Sequence, residues 1–389
     1  MKKQFLTLMA VVLCLGHVAG QQELVKITYF GHLYVESNIN GHPARLAFDT
    51  GSPYTCVDST YLADNKLRYK NVGQAKMGGS GNGLEMVRFI MNGLVYSVAG
   101  KEYQSNISPI IQLKPVLGDL ADGILGVDNM GGKVIVIDYV GEQMGFWDRV
   151  GDTGGFTSIP IRYENSRIFV PLKVVLDDRR TIEGEGLMDL GSGSSVDFTS
   201  VVAEQYGMKD ITPQMPYTFT VGGIGGKSYG SDFRAKSASV GGFTLNNITV
   251  EYSKNTSGAL SGKEYIALIG NDVWERFDMI LDLAGKRLYL RPNAKFDEPF
   301  KSPVLGFSIT DRSRTLGCWV VNCLYEGSNA EKAGLKGGDH ITLLNGRSVK
   351  EMDFKEMWKQ FDEMTSVTLM VQRGDESKEI SFDFDKPKI

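Results

Sequence analysis

The chain has 389 residues, 42 Lys+Arg against 46 Asp+Glu and a formal net charge of -4; with no strongly basic segment it offers no electrostatic footprint for nucleic acid. At about 150 residues per domain, its length suggests two or three domains with sizeable cores. The 46 glycines against 12 prolines, with 42% hydrophobic residues, predict a globular, mainly β chain built from many turns and hairpins.

The first twenty residues read as an export signal: Lys2 and Lys3, an apolar run from Phe5 to Gly16, then the small residues Val18, Ala19 and Gly20. Cleavage there predicts a secreted or periplasmic protein beginning at Gln21. No later run is long and apolar enough to span a membrane, and bulky Leu13 before Cys14 argues against a lipid anchor. Cys56, Cys318 and Cys323 then remain, an odd count without a disulfide framework, and are expected to be buried thiols. His32, His42 and His340 are scattered, without the spacing of a zinc site, so neither a metal nor an organic cofactor is expected.

Further along, Phe48-Asp49-Thr50-Gly51-Ser52 follows the apolar Leu46-Ala47, as a strand ending in a tight glycine turn would. This pattern returns as Met188-Asp189-Leu190-Gly191-Ser192, with the aspartates 140 residues apart. Other pairs share an offset of 144: Gly78-Gly79 with Gly222-Gly223, Ile124-Leu125-Gly126 with Leu268-Ile269-Gly270, Asp128 with Asp272, and Asp138 with Asp282. Each repeat closes with an apolar run, a turn and another strand. The first 290 residues therefore read as a duplicated β-unit with a small insertion in the second copy. Three other signals do not hold. Val221 replaces the first glycine that a phosphate loop would need in Gly222–Ser228, no Gly-x-Ser-x-Gly elbow surrounds Ser80, Ser192 or Ser194, and Asp119–Gly123 lacks calcium-loop spacing.

The two Asp-x-Gly-Ser turns, each with a later apolar-apolar-Gly segment, resemble the pattern of pepsin-like and retroviral-type aspartic proteases. The resemblance covers roughly residues 24–293 and is closest to two fused retroviral-type units. It implies a bilobal pepsin-like β-barrel fold with lobes at 24–150 and 151–293. It also implies that Asp49 and Asp189 are a catalytic pair sharing one proton, which is how the paired aspartates of that family are known to work. Around that pair, Gly51 and Gly191 would let the loops face each other, Gly126 and Gly270 would pack beneath them, and Ser52 and Ser192 would bond the outer carboxylate oxygens. Thr50 fits the family's cross-loop hydroxyl bond; Leu190 cannot make its counterpart. Met77–Gly83, with Gly78 and Gly79, and Val221–Gly226, with Gly222 and Gly223, sit where the family places substrate-covering flaps.

Beyond the connector Pro292–Pro299 the repeat stops. Val304-Leu305-Gly306-Phe307, Tyr325–Leu335 and Gly338–Gly346 resemble a bacterial-type PDZ domain, which implies a small domain at 300–386 that binds peptide through Leu305, Gly306 and Phe307. Phe354, Met357, Trp358 and Phe361 recur at helical spacing and predict a helix from Asp353 to Met364 beside that groove. Together the resemblances imply an exported bacterial aspartic endopeptidase acting on peptide or protein substrates, with a PDZ peptide ligand and no nucleic-acid partner. The alternatives are a peptide-binding scaffold that has lost competent chemistry through Leu190, and a protease-like protein active only with a partner or after ligand engagement of the PDZ domain.

Overall fold

The computed structural model describes residues 24–389, so the expected export signal and Cys14 lie outside the described residues. The architecture is mainly β. Two-residue turns with both residues in the left-handed region join several hairpins, among them Asn40-Gly41 between strands His32–Ile39 and His42–Phe48. That conformation matches the right-handed twist of paired strands, which is why Asn-Gly recurs at such corners.

The duplication is visible in the strand pairing. In the first repeat, His42–Phe48 runs parallel to Gly123–Leu125, with Phe48 opposite Leu125; in the second, Thr181–Met188 runs parallel to Ala267–Ile269, with Met188 opposite Ile269. Cys56–Asp58 and Val196–Phe198 each insert between two further strands in the same way. Asp138 and Asp282 also match, each accepting from the backbone N–H three residues on, Gly141 at 2.7 Å and Gly285 at 2.8 Å. The insertion in the second copy is spread out rather than confined to one place. Strand ends Met77 and Phe219, like Val98 and Val240, stand 142 apart, between the 140 of the aspartates and the 144 of the later glycines. The sequence pairing of Gly78-Gly79 with Gly222-Gly223 is therefore two residues out of register with the strands that carry them.

The repeats are joined through the antiparallel pairing of Val134–Asp138 with Phe277–Asp282, which sets Ile137 against Met279 and Ile135 against Leu281. Beneath these strands one apolar core runs through both repeats, including Phe48, Ile137, Phe198, Trp274 and Met279. Each large side chain buried in it contributes about 1.5–3 kcal/mol relative to exposure, so neither repeat would keep its share alone. A second core lies within the C-terminal segment and includes Phe307, Trp319, Ile341, Met357, Phe361 and Val371. Helix Phe354–Phe361 is shorter than the expected 353–364. Asp353 caps its start by accepting from Glu356 N–H at 2.9 Å, and the chain turns at Asp362–Met364 before the β-branched strand Ser366–Arg373.

The C-terminal segment adds to the sheet of the second repeat. Strand Gln214–Phe219 pairs antiparallel with Cys318–Tyr325, Tyr217 opposite Tyr325. The first repeat reaches it too: Asp119 accepts from Arg312 Nε at 3.2 Å and Thr315 Oγ1 at 2.7 Å, Phe30 meets Phe354 and Trp358 edge-on, and Glu142 pairs with Lys355 at 2.6 Å. Cys56, Cys318 and Cys323 are free and buried. Among the described residues no helix is long and apolar enough to cross a membrane.

Three carboxyls gather under the junction of the second repeat with the C-terminal strand. Glu251 stands opposite Asp232 and beside Asp197 in the strand registers, with Tyr217 donating to Glu251 at 2.9 Å and Tyr325 to Asp232 at 2.7 Å. One oxygen each of Asp197 and Asp232 is buried without a partner. Burial raises Glu251 to about 7 and pushes Asp197 and Asp232 well above the usual carboxylate range. The folded chain thus keeps protons that the unfolded chain releases near pH 4, about the unperturbed carboxylate value. Their contribution to stability is full below that pH and is lost as pH rises towards 7. Urea midpoints measured from pH 4.5 to 7.5 should fall with rising pH, and Glu251→Gln should flatten that slope.

Candidate functional site

Each repeat delivers an aspartate from the end of its parallel strand pair. Asp49 N–H donates to Leu125 O at 3.1 Å and Asp189 N–H to Ile269 O at 2.9 Å, so the later apolar segment of each repeat fixes where its aspartate emerges. Below the turns, Gly126 and Gly270 leave room for the backbone carbonyls of Tyr54 and Ser194, which a Cβ would strike. Facing them, a Cβ on Gly51 would lie 2.6 Å from Asp189 Oδ1, and one on Gly191 would overlap the Asp49 carboxyl. The loops approach this closely only because both positions are glycine.

The two carboxyls face each other where the loops meet. Ser52 N–H donates to Asp49 Oδ1 and Gly191 N–H to Asp189 Oδ1, both at 2.9 Å. Burial raises both groups; the neighbouring Asp49 charge adds to the rise at Asp189, while backbone donors and the Asp189 side chain pull Asp49 back. Both residues keep partial access to solvent. Such a pair sets one acid and one base side by side.

Thr50 is fully buried and spans the loops. Its hydroxyl donates to Met188 O at 2.8 Å and accepts from Leu190 N–H at 3.1 Å. Leu190 is buried in the core and returns no such bond. The serines depart from expectation: Ser52 Oγ donates to Tyr54 O at 2.8 Å and Ser192 Oγ shares a bond with Ser194 Oγ at 2.8 Å. It is the backbone of Ser52, not its hydroxyl, that reaches a carboxylate, because the turn folds the side chain back onto its own loop.

The glycine-rich hairpins interlock. Gly79 and Gly81 N–H groups donate to Ile224 O at 3.1 and 3.0 Å, Asn82 N–H donates to Lys227 O at 2.8 Å, and Ser80 Oγ donates to Gly222 O. Asn82 Oδ1 also accepts from Thr256 N–H at 2.8 Å. Gly78 lies near Leu84 and Gly258, and Gly223 adopts φ +122 against Ser80. Beside the first hairpin, Gly78, Arg167, Glu264 and Tyr265 line a pocket.

Sequence reasoning missed three residues here. The half-buried His32 lies beside the second loop, where burial lowers its pKa to about 4 against the opposing effect of the Gly191 and Phe30 backbone, so it sits neutral there. Asn271 and Tyr139 form a buried bond of 2.8 Å next to Leu190. Only the place of Asn271 directly after Gly270 could have drawn notice. In the C-terminal segment, Gly306 has φ +74 and packs on Ser328 and Asp385, Phe307 is buried, and Leu305 packs on the second core. Gly118 of the first repeat lies against the Asp311 backbone, on the strand that Phe307 begins.

No family model matches this chain. Curated proteins similar to it include the probable CtpA-like serine proteases of Staphylococcus aureus strains COL, N315 and MRSA252, each 43% identical over 69 residues, 17% of this chain. The chain spans 14% of the length of these relatives. This finding corrects the assignment to pepsin-like and retroviral-type aspartic proteases, and with it the aspartic endopeptidase activity: the relationship found runs to proteins named as serine proteases. The physical reason for the misreading is that an Asp-x-Gly-Ser motif specifies a tight turn bearing a carboxylate, and a turn does not specify a reaction class. Among the described residues, no serine hydroxyl is hydrogen-bonded to a histidine or lysine side chain; those at the site bond backbone or each other.

Replacing Thr50 by Val strands the Leu190 N–H and the Met188 C=O in buried surroundings, each at about 1–3 kcal/mol. Thr50→Val should lower the unfolding free energy by about 2–4 kcal/mol in urea titration, and Thr50→Ser by less than half of that.

Proposed function

We propose that this chain is a peptidase in the general sense, acting on polypeptides, with the facing Asp49 and Asp189 at its candidate site. The observation that carries the reading is the close approach of two carboxyls, one from each repeat, at a place within reach of solvent. The name of the relatives supports a polypeptide substrate. Their serine chemistry is not carried over, because the match reaches 14% of their length. The interlocked hairpins must part for a peptide to enter, as covering loops do elsewhere.

The same reading takes 24–150 and 151–293 as the lobes of a bilobal β-barrel fold and 300–386 as a small PDZ domain. There, Leu305, Gly306 and Phe307 open a strand whose edge takes an extended peptide. Lys2, Lys3 and the apolar run after them support export to the periplasm or the medium.

Cleavage of a diverse peptide library, read by mass spectrometry from acid to neutral pH, tests the assignment. Wild type should cleave within that range, and activity should fall at least roughly a hundredfold in Asp49→Asn and in Asp189→Asn. No cleavage by the folded chain at any pH would sink the peptidase reading; full activity in either variant would remove the aspartates from the site, and a serine labelled by a fluorophosphonate would place the reaction there instead.

A further inference from the structure

The two repeats solve one problem with different residues. In the first, the residue after the aspartate is Thr50 and the residue after the lower glycine is Val127; in the second, these positions hold Leu190 and Asn271. The backbone bears out the match: Val127 N–H donates to Ser52 O at 3.4 Å and Asn271 N–H to Ser192 O at 2.8 Å. A polar side chain thus stands above in one repeat and below in the other.

Asn271 is fully buried at the start of helix Asn271–Trp274. Its Nδ2 donates to Leu190 O at 2.8 Å and to Gly31 O at 2.9 Å, while its Oδ1 accepts from Tyr139 Oη at 2.8 Å. Gly31 and Tyr139 both belong to the first repeat, so the amide ties the second aspartate loop across to it. Leu190 is then held at both backbone groups: its N–H by Thr50 and its C=O by Asn271. Burial keeps the Tyr139 hydroxyl protonated and therefore a donor, which orients the amide with its NH2 towards the two carbonyls.

We infer that Asn271 is a positioning residue for the carboxylate pair, its Tyr139-oriented amide replacing the cross-loop hydroxyl bond that Leu190 cannot make. The inference rests on Asp49 and Asp189 being the functional pair. Leucine at 190 is accommodated because the second tie has moved to the helix beneath it, where the first repeat has only Val127.

The test is a pH titration of the aspartate carboxyls by 13C NMR in the full chain, which needs no substrate. Wild type should titrate as a pair that retains one proton. Asn271→Leu, folded by circular dichroism, should lower the upper step by about one pH unit, a tenfold loss of proton affinity. Tyr139→Phe, which keeps the amide but frees it, should shift that step in the same direction by less. The exchange Leu190→Thr with Asn271→Val copies the first repeat and should restore the wild-type titration; a role in packing alone would not be rescued in this way. An unchanged titration in folded Asn271→Leu overturns the inference. Should that variant not fold, an unchanged titration in Tyr139→Phe overturns it instead. Independent, ordinary titration of Asp49 and Asp189 in wild type would overturn the paired-carboxylate reading, and this inference with it; loss of peptide cleavage alone would touch only the peptidase assignment.

Discussion

Two carboxyl groups face each other here because nothing stands between the loops that carry them. Gly51 faces Asp189 and Gly191 faces Asp49, and any Cβ at either place would occupy the opposite carboxyl. Everything beneath works to maintain that approach. Parallel strand pairs fix the point where each aspartate leaves its sheet, and Gly126 and Gly270 let the turns settle onto them. The antiparallel pairing of Val134–Asp138 with Phe277–Asp282 then sets the two repeats at a constant distance. Bringing two buried acids together is unfavourable if both ionise, so the apolar core running through both repeats must hold them where Coulomb repulsion would separate them.

Duplication supplies the symmetry, and the chain departs from it where one copy of a feature suffices. One threonine bridges both loops from the first repeat, and the second repeat offers leucine to the core at the equivalent position. The hairpins above are likewise unequal. The tip of the first enters between the second and the Thr256–Ala259 turn, with Asn82 accepting from Thr256 and Ala259 N–H donating to Gly79 O at 2.8 Å. Their glycines carry the backbone conformations that this mutual insertion needs.

The C-terminal segment has its own core but no separate surface at its junction. It continues the sheet of the second repeat through Tyr217 and Tyr325 and receives Asp119 and Phe30 from the first. Phe30 immediately precedes Gly31, whose carbonyl takes the Asn271 amide at 2.9 Å. A contact with helix Phe354–Phe361 therefore lies one residue from the support of the second aspartate loop.

By itself the sequence determined the β class, the duplication, the two aspartate turns with the glycines that face and underlie them, the three buried thiols and a helix near 354–361. These are local properties: alternation, turn residues and helical spacing are written in consecutive residues, and a repeat compares one stretch with another. The tertiary structure alone decided that the serine hydroxyls turn away from the carboxylates, that the hairpins interlock, and that Asn271 meets Tyr139 132 positions away and Gly31 240 positions away. Contacts over such separations depend on how sheets pack, which no short pattern encodes. The assignment of reaction type failed for a related reason: an Asp-x-Gly-Ser turn fixes where a carboxylate points, while the chemistry depends on everything that gathers around it.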